Sequence, residues 1–366
     1  MNMSKKIISI CLAGLMAFGF FGCRKKDTAS SSEISVVPSV AVTSSAPQNN
    51  YEINPLTGTQ DMKKSAKLLK PVAIMINNIE TAQGVQSSLS KADIIYETFV
   101  EGGITRLMAV FKDIRTVGKN NIGSLRSGRY SYVDLALGNG AQFVHAGLDE
   151  VYCKPHIGEV GTTTVDLNTT ASSGNVIGGN NYAFRVSNGL SYEHTLFTTG
   201  TGLYKGLKET VGLKLEKPQE NWMKFVKEGR EIVPKGGKCQ ELFVPFSGSY
   251  SAQFKFNSST GAYDKYRFGA KQVDCSNNKT ISVSNILVLY STISTFPDGK
   301  HVMTDLSSGS GYYVSNGGYS EINWSKGSAN SSFKITDSTG KEIDYNPGKT
   351  YVCLTNTTQK SATTFS

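Results

Sequence analysis

The stretch ADIIYETFVEGGITRLMAVFK, residues 92–112, alternates apolar and polar positions on either side of Gly102 and Gly103. Two β-prone runs joined by a Gly-Gly pair predict an antiparallel hairpin, because glycine takes the positive φ of a two-residue turn without a steric cost. With that loop Glu101 faces Ile104, Phe99 faces Arg106 and Glu97 faces Met108. Glu97 and Glu101 then flank Arg106 diagonally on one face, two carboxylates orienting one arginine. As a glycosidase pair they fail, since four residues of strand separate them by roughly 13 Å, beyond the ~9.5 Å of inverting enzymes. A solvated cross-strand ion pair is the plainer alternative.

On the N-terminal side, LKPVAIMINN (69–78) is a compact apolar run and reads as a buried strand. On the C-terminal side comes GSLRSGRY (123–130), followed by a run in which Tyr130, Val133 and Leu137 recur at helical spacing and Gly138 is a natural stop. This is a strand-to-helix junction, with Ser124 or Ser127 placed to cap the helix. Such a junction offers free backbone N–H groups and a positive dipole end, to which Arg126 and Arg129 add guanidinium forks that match phosphate or carboxylate. An anion site on Ser124, Arg126, Ser127 and Arg129, with Arg106 beside it, is the expectation. The alternative pairs one arginine with Asp134 or a glutamate and leaves the other solvated.

AQFVHAG (141–147) reads as a strand ending at His145, residues 150–188 as ordered loops, and the chain from about Gly202 as a helix. Alternating strands and helices predict a mixed α/β domain over 55–230. Beyond Lys235 the runs shorten and fill with β-branched and aromatic residues, as in ELFVPF, AQFKFN, ISVSNILVLY and TYVCL, with turns at Asp298-Gly299 and Asn316-Gly317. A smaller all-β domain is expected over 231–366, so the fold class is α+β.

The first 22 residues carry Lys5 and Lys6, an apolar stretch from Ile7 to Phe21, and Gly22 directly before Cys23. That grammar is an export leader resembling a bacterial lipoprotein signal, with Cys23 as the lipidated residue, although Phe20 and Phe21 depart from the usual small or Leu-rich cleavage motif. Residues 23–54 are rich in Ser, Thr, Pro and Asn and read as a tether that reaches on the order of 30 Å as a coil. The formal charge of +9 on an exported chain suits anionic wall polymers or lipid headgroups, and excludes nucleic acid as the expected partner. Ordinary solubility charge is equally compatible.

Four histidines, His145, His156, His194 and His301, show no metal-ligand spacing, and there is no nucleophile elbow or dinucleotide fingerprint. No metal and no cofactor are expected. Cys153, Cys239, Cys275 and Cys353 are far apart and form no C-x-x-C.

NPLTG at 54, KPVAIMINN at 70, SLSKADIIYETFVEGGITRLMAVF at 88, IGSLRSGRY at 122, FVHAG at 143 and YEHTLFT at 192 together resemble the YerB-like lipoprotein family of Gram-positive bacteria. GSGYYVSNGGYSEINWSK and DYNPGKTYVCL look like the C-terminal domain of that family. The resemblance implies a lipid-anchored exported protein of two domains and carries no reaction with it. The order of strands before the junction is also similar to the LytR-CpsA-Psr wall-polymer phosphotransferases. Here Ser127 and Gly128 follow Arg126 where those enzymes have an acidic residue, so the analogy reaches phosphate binding rather than transfer.

Three readings follow. In the first, the protein binds an anionic wall polymer or lipid-linked precursor without catalysis. In the second, Arg106, Arg126, Arg129 and Arg185 clamp a pyrophosphate, with Glu97, Glu101, His145 or His194 as acid or base. In the third, the β-rich domain contacts and regulates a wall-synthesis enzyme. All place the protein on the outer face of the plasma membrane. Cys23→Ala is expected to release the protein or leave it unprocessed; membrane fractionation showing normal processing and retention contradicts the anchor.

Overall fold

The computed structural model describes residues 50–220 and 222–366. The leader, Cys23 and the tether as far as residue 49 lie outside the described residues. Asn54, assigned to the tether on composition, is 6% exposed; its side chain donates to Asp93 and accepts from Leu56 N–H, so the packed chain starts earlier than composition suggests.

One sheet of twelve strands runs through the molecule. Its first half is built from β1 (Val72–Ile76), β2 (Ile94–Phe99), β3 (Thr105–Phe111), the short β4 (Asn121–Gly123) that lies outside it, α1 (Tyr130–Gly138) and β5 (Gln142–His145). Then follow α2 (Cys153–Glu159), β6 (Thr164–Asp166), β7 (Val176–Gly178), β8 (Ala183–Arg185), β9 (Leu196–Thr199) and α3 (Gly200–Thr210). Every residue of VAIMI in β1 is buried, as a strand covered on both faces requires. Thr199 starts α3 by accepting a hydrogen bond from Gly202 N–H at its hydroxyl.

The second half adds β10 (Glu241–Pro245), β11 (Ser251–Asn257), β12 (Ala262–Arg267), β13 (Asn285–Ser291), β14 (Ser308–Ser315), β15 (Gly318–Ser325) and β16 (Thr350–Asn356). β10–β12 form the antiparallel centre of a separate six-stranded sheet. The large sheet runs β15-β14-β13-β16-β2-β3-β1-β5-β6-β7, with the short strands Gly237–Lys238 and Lys334–Thr336 both paired to β15, so β16 lies parallel between β13 and β2. One face carries Val72, Ile74, Ile76, Leu203, Leu242, Phe254 and Tyr351; the other carries Ala73, Met75, Tyr132, Ile157, Leu287 and Leu354. Each core cluster therefore draws on both halves of the chain, and the two sequence textures share a hydrophobic interior.

The hairpin departs from its expected register. Val100 N–H donates to Ile104 O and the loop takes in Glu101, Gly102 and Gly103, with φ of 72° and 69° at the two glycines. Thr98 now faces Arg106 and Glu97 faces Leu107. A slip of one residue moves side chains to opposite faces of the sheet. Glu97 and Arg106 consequently do not share a face, and the two-carboxylate clamp on Arg106 does not form.

Glu97 is fully buried and serves the seam between the halves instead. It accepts from Asn78 Nδ2 at 2.9 Å, Thr105 Oγ1 at 2.7 Å and Tyr351 Oη at 2.5 Å, with Lys265 Nζ 4.0 Å away. Glu97→Ala removes a buried charge that Lys265 faces, and is expected to lower stability by about 3–5 kcal/mol, measurable by denaturant unfolding. A tryptic nick in the exposed run around Arg230 is expected to leave the two fragments associated and melting in a single transition; separation into independently folded pieces contradicts a shared core.

Candidate functional site

The junction after β4 is held in extended form by its neighbours. Asn77 N–H donates to Ser124 O, Leu125 N–H to Leu196 O, Arg126 N–H to Met75 O and Gly128 N–H to Gly147 O. The free backbone donors expected of this segment are thus largely spent on β1, β9 and the turn after β5. Ser124 is fully buried and its hydroxyl accepts from Asn77 Nδ2 at 3.3 Å, which makes it part of the scaffold. Neither serine caps α1: its N-cap position is Arg129, without a side-chain cap.

The arginines divide into distinct roles. Arg106 is 4% exposed and donates from Nη1 to Ser127 O at 2.6 Å, bracing the junction from below. Burial, with the charges of Arg129 and Arg126 after it, pushes its pKa down, so these three guanidiniums lie within electrostatic range of one another. Arg129 is paired: its Nε is 2.6 Å from Glu101 Oε1 and its Nη1 donates to Gly128 O. Burial alone would raise the Glu101 carboxyl, but the hydrogen bond and charge of Arg129 and the charge of Arg106 bring it below the ordinary glutamate value. Glu101 thus orients Arg129, not the expected Arg106.

Arg126 faces a cavity of about 200 Å³ lined also by Leu125, Ser127, Ala146, Asn168, Arg185, Tyr192, Glu193 and Leu196. Its Nη1 donates to Glu193 O at 3.3 Å, while its Nε is buried and has no hydrogen-bond partner. Arg185 stands opposite, its guanidinium 3.4 Å from the centre of the Tyr192 ring. It is fixed by Tyr192 O at 2.7 Å, Thr195 Oγ1 at 3.1 Å and Asn168 Oδ1 at 3.2 Å. The cavity therefore offers two guanidiniums, the hydroxyls of Ser127 and Tyr192 and an amide against one carboxylate, Glu193, a combination suited to binding an oxyanion.

The expected acids and bases are elsewhere or occupied. His145 is fully buried with Nδ1 against Gly147 O at 2.8 Å and Nε2 against Thr164 Oγ1 at 3.0 Å, and burial pushes its pKa down. His194 takes Asn77 Nδ2 at Nδ1, 2.8 Å, and holds Glu193 Oε1 3.3 Å from Nε2; burial lowers it too. Glu97 is sealed in the seam and Glu101 is bound to Arg129. Asn168, Tyr192 and Glu193 are cavity residues that sequence reasoning passed over, although Tyr192 and Glu193 open the motif YEHTLFT. No cluster of three or more His, Cys, Asp or Glu able to hold a metal occurs among the described residues.

A strand-rich sheet shared by two halves, with few helices, places the chain in the class of two-part α+β proteins. The chain matches the family described as Protein of unknown function (DUF3048), its N-terminal domain over residues 56–214 and its C-terminal domain over 242–352, and belongs to that family. It is 24% identical over 361 residues to "Putative lipoprotein YerB" of Bacillus subtilis (strain 168), covering 95% of both chains. The crystal structure of YerB from Bacillus subtilis superposes with a TM-score of 0.68 at 22% identity, over 86% of this chain and 99% of that one. The motif resemblance and these matches agree on a YerB-like family, and the structural likeness extends to the fold.

Glu101→Gln is expected to cost about 1 kcal/mol at pH 7, the size of a partly exposed ion pair. Because the folded-state pKa of Glu101 is depressed, its contribution is present above the ordinary glutamate pKa and lost as pH falls through the folded value. The difference between variant and parent should therefore vanish on acidification, as thermal melts over a pH series would show.

Proposed function

We propose that this protein is a lipoprotein of the cell envelope, anchored through Cys23, that binds an anionic wall polymer or lipid-linked precursor at the Arg126–Arg185 cavity without transforming it. The observation that carries the reading is the buried, unpartnered Nε of Arg126 in a cavity shared with Arg185 and Ser127. An unsatisfied buried donor on a cation calls for an acceptor, and a phosphoryl oxygen supplies one. The lipoprotein character of the relative supports the anchor. No helix among the described residues is long and apolar enough to cross a membrane. The engaged state of Glu97, His145 and His194 supports binding over catalysis.

The test follows from the division of roles among the arginines. Arg129 is tied to Glu101 and Arg106 is buried, so Arg126→Gln with Arg185→Gln is the informative pair. Calorimetry with a short-chain prenyl pyrophosphate and with a glycerol-phosphate oligomer is expected to show binding to the parent. The double variant should bind at least two orders of magnitude more weakly, from two charge-assisted contacts of roughly 1.5–3 kcal/mol each. Equal affinity in both proteins makes the arginines structural; no binding of either probe by the parent favours a partner protein as the ligand.

A further inference from the structure

The strand β12, AYDKYR, turns Tyr263, Lys265 and Arg267 inward, all three buried. Two cations on the core face of one strand is a rare arrangement, since lysine and arginine are almost never fully buried unless paired. Across the seam β2 offers one carboxylate, Glu97, already engaged by Asn78, Thr105 and Tyr351, and 4.0 Å from Lys265 Nζ. Nothing comparable meets Arg267. It is 2% exposed, and its Nε and Nη2 are buried without a hydrogen-bond partner.

These two nitrogens form one edge of the guanidinium, with their N–H bonds side by side, and that edge closes on two oxygens of a carboxylate or phosphate. Arg115 of the same chain shows the edge filled: Nε and Nη2 donate to Oδ1 and Oδ2 of Asp113 at 2.7 and 2.9 Å. At Arg267 the neighbours are aromatic, the Tyr250 and Phe268 ring centres lying 5.1 and 4.5 Å from the guanidinium carbon. Rings can hold the plane in place, but they provide no acceptor for the edge. An unpaired buried charge is expensive, and a complete empty fork is the shape of a missing oxyanion.

We propose that the Nε–Nη2 edge of Arg267, at the seam between β2 and the β10–β12 sheet, binds a small oxyanion with two syn oxygens, a carboxylate or a phosphoryl group. This site is separate from the Arg126–Arg185 cavity. Of the two carboxylates within electrostatic range of Tyr250, Glu97 is engaged by Asn78, Thr105 and Tyr351, which leaves the exposed Glu80 as the internal rival.

The experiment is thermal unfolding of the full-length protein in detergent at pH 7, with phosphate or acetate replacing chloride at fixed ionic strength. It is run in the Arg126→Gln/Arg185→Gln background, so that failure of the cavity site and failure of this one are distinguishable. Saturation is expected to raise Tm by roughly 2–4 °C. Arg267→Met, which removes charge and edge, and Arg267→Lys, which keeps the charge alone, should both lose that rise; general salt stabilisation would persist in them and is subtracted. A rise with phosphate only assigns a phosphoryl ligand, and a rise with acetate only assigns a carboxylate. The same rise in Arg267→Met, or none in the parent background, overturns the proposal. Should the variants fail to fold, selenate-soaked crystals of the parent decide: an anomalous peak at Nε and Nη2 supports the site, and the Glu80 carboxylate closed on that edge overturns it.

Discussion

The strand Thr350–Asn356 is the member on which the architecture turns. Seven residue pairs join it to β13 and four join it to β2, both parallel, so its pairing with β2 is where the large sheet passes from one half of the chain to the other. Parallel pairing with burial on both faces demands apolar residues throughout, and YVCL supplies them. Tyr351 also carries a hydroxyl into that interior, which is tolerable because Glu97 accepts its hydrogen bond. Remove the carboxylate and the tyrosine hydroxyl and the Lys265 ammonium lose their common partner together.

The cavity is a consequence of that frame. β1 is fixed between β3 and β5, and its outgoing residues Asn77 and Asn78 then divide their duties. Asn78 binds Glu97 on the seam side; Asn77 binds Ser124 and His194 on the cavity side. Two adjacent asparagines thereby connect the shared core to the junction that presents Arg126. Packing beneath the junction comes from Arg106, whose own charge is costly to bury and whose hydrogen bond to Ser127 O partly offsets that cost.

Much of this was legible in the sequence wherever a residue's role is local. The apolar run of β1, the strand ending at His145, the helix from Tyr130 and the change of texture after Lys235 all follow from periodicity and turn chemistry. The hairpin was legible in outline, but its register was not, because a Gly-Gly pair serves a two-residue and a three-residue loop equally well and one residue of slip inverts every facing pair. Arg126 stood out by its position; its partner across the cavity, Arg185, lies on a distant strand, and the presence of Tyr192 and Glu193 there depends on tertiary packing alone. The role of Glu97 was illegible for the same reason: its partner Tyr351 stands 254 residues away.

That separation has a bearing on how the chain comes to be folded. A polypeptide released N-terminus first exposes β2 long before residues 350–356 arrive, and throughout that interval β2 is an apolar sheet edge without its neighbour. Contacts of such long range are slow to form and leave the growing structure open to pairing with the wrong strand.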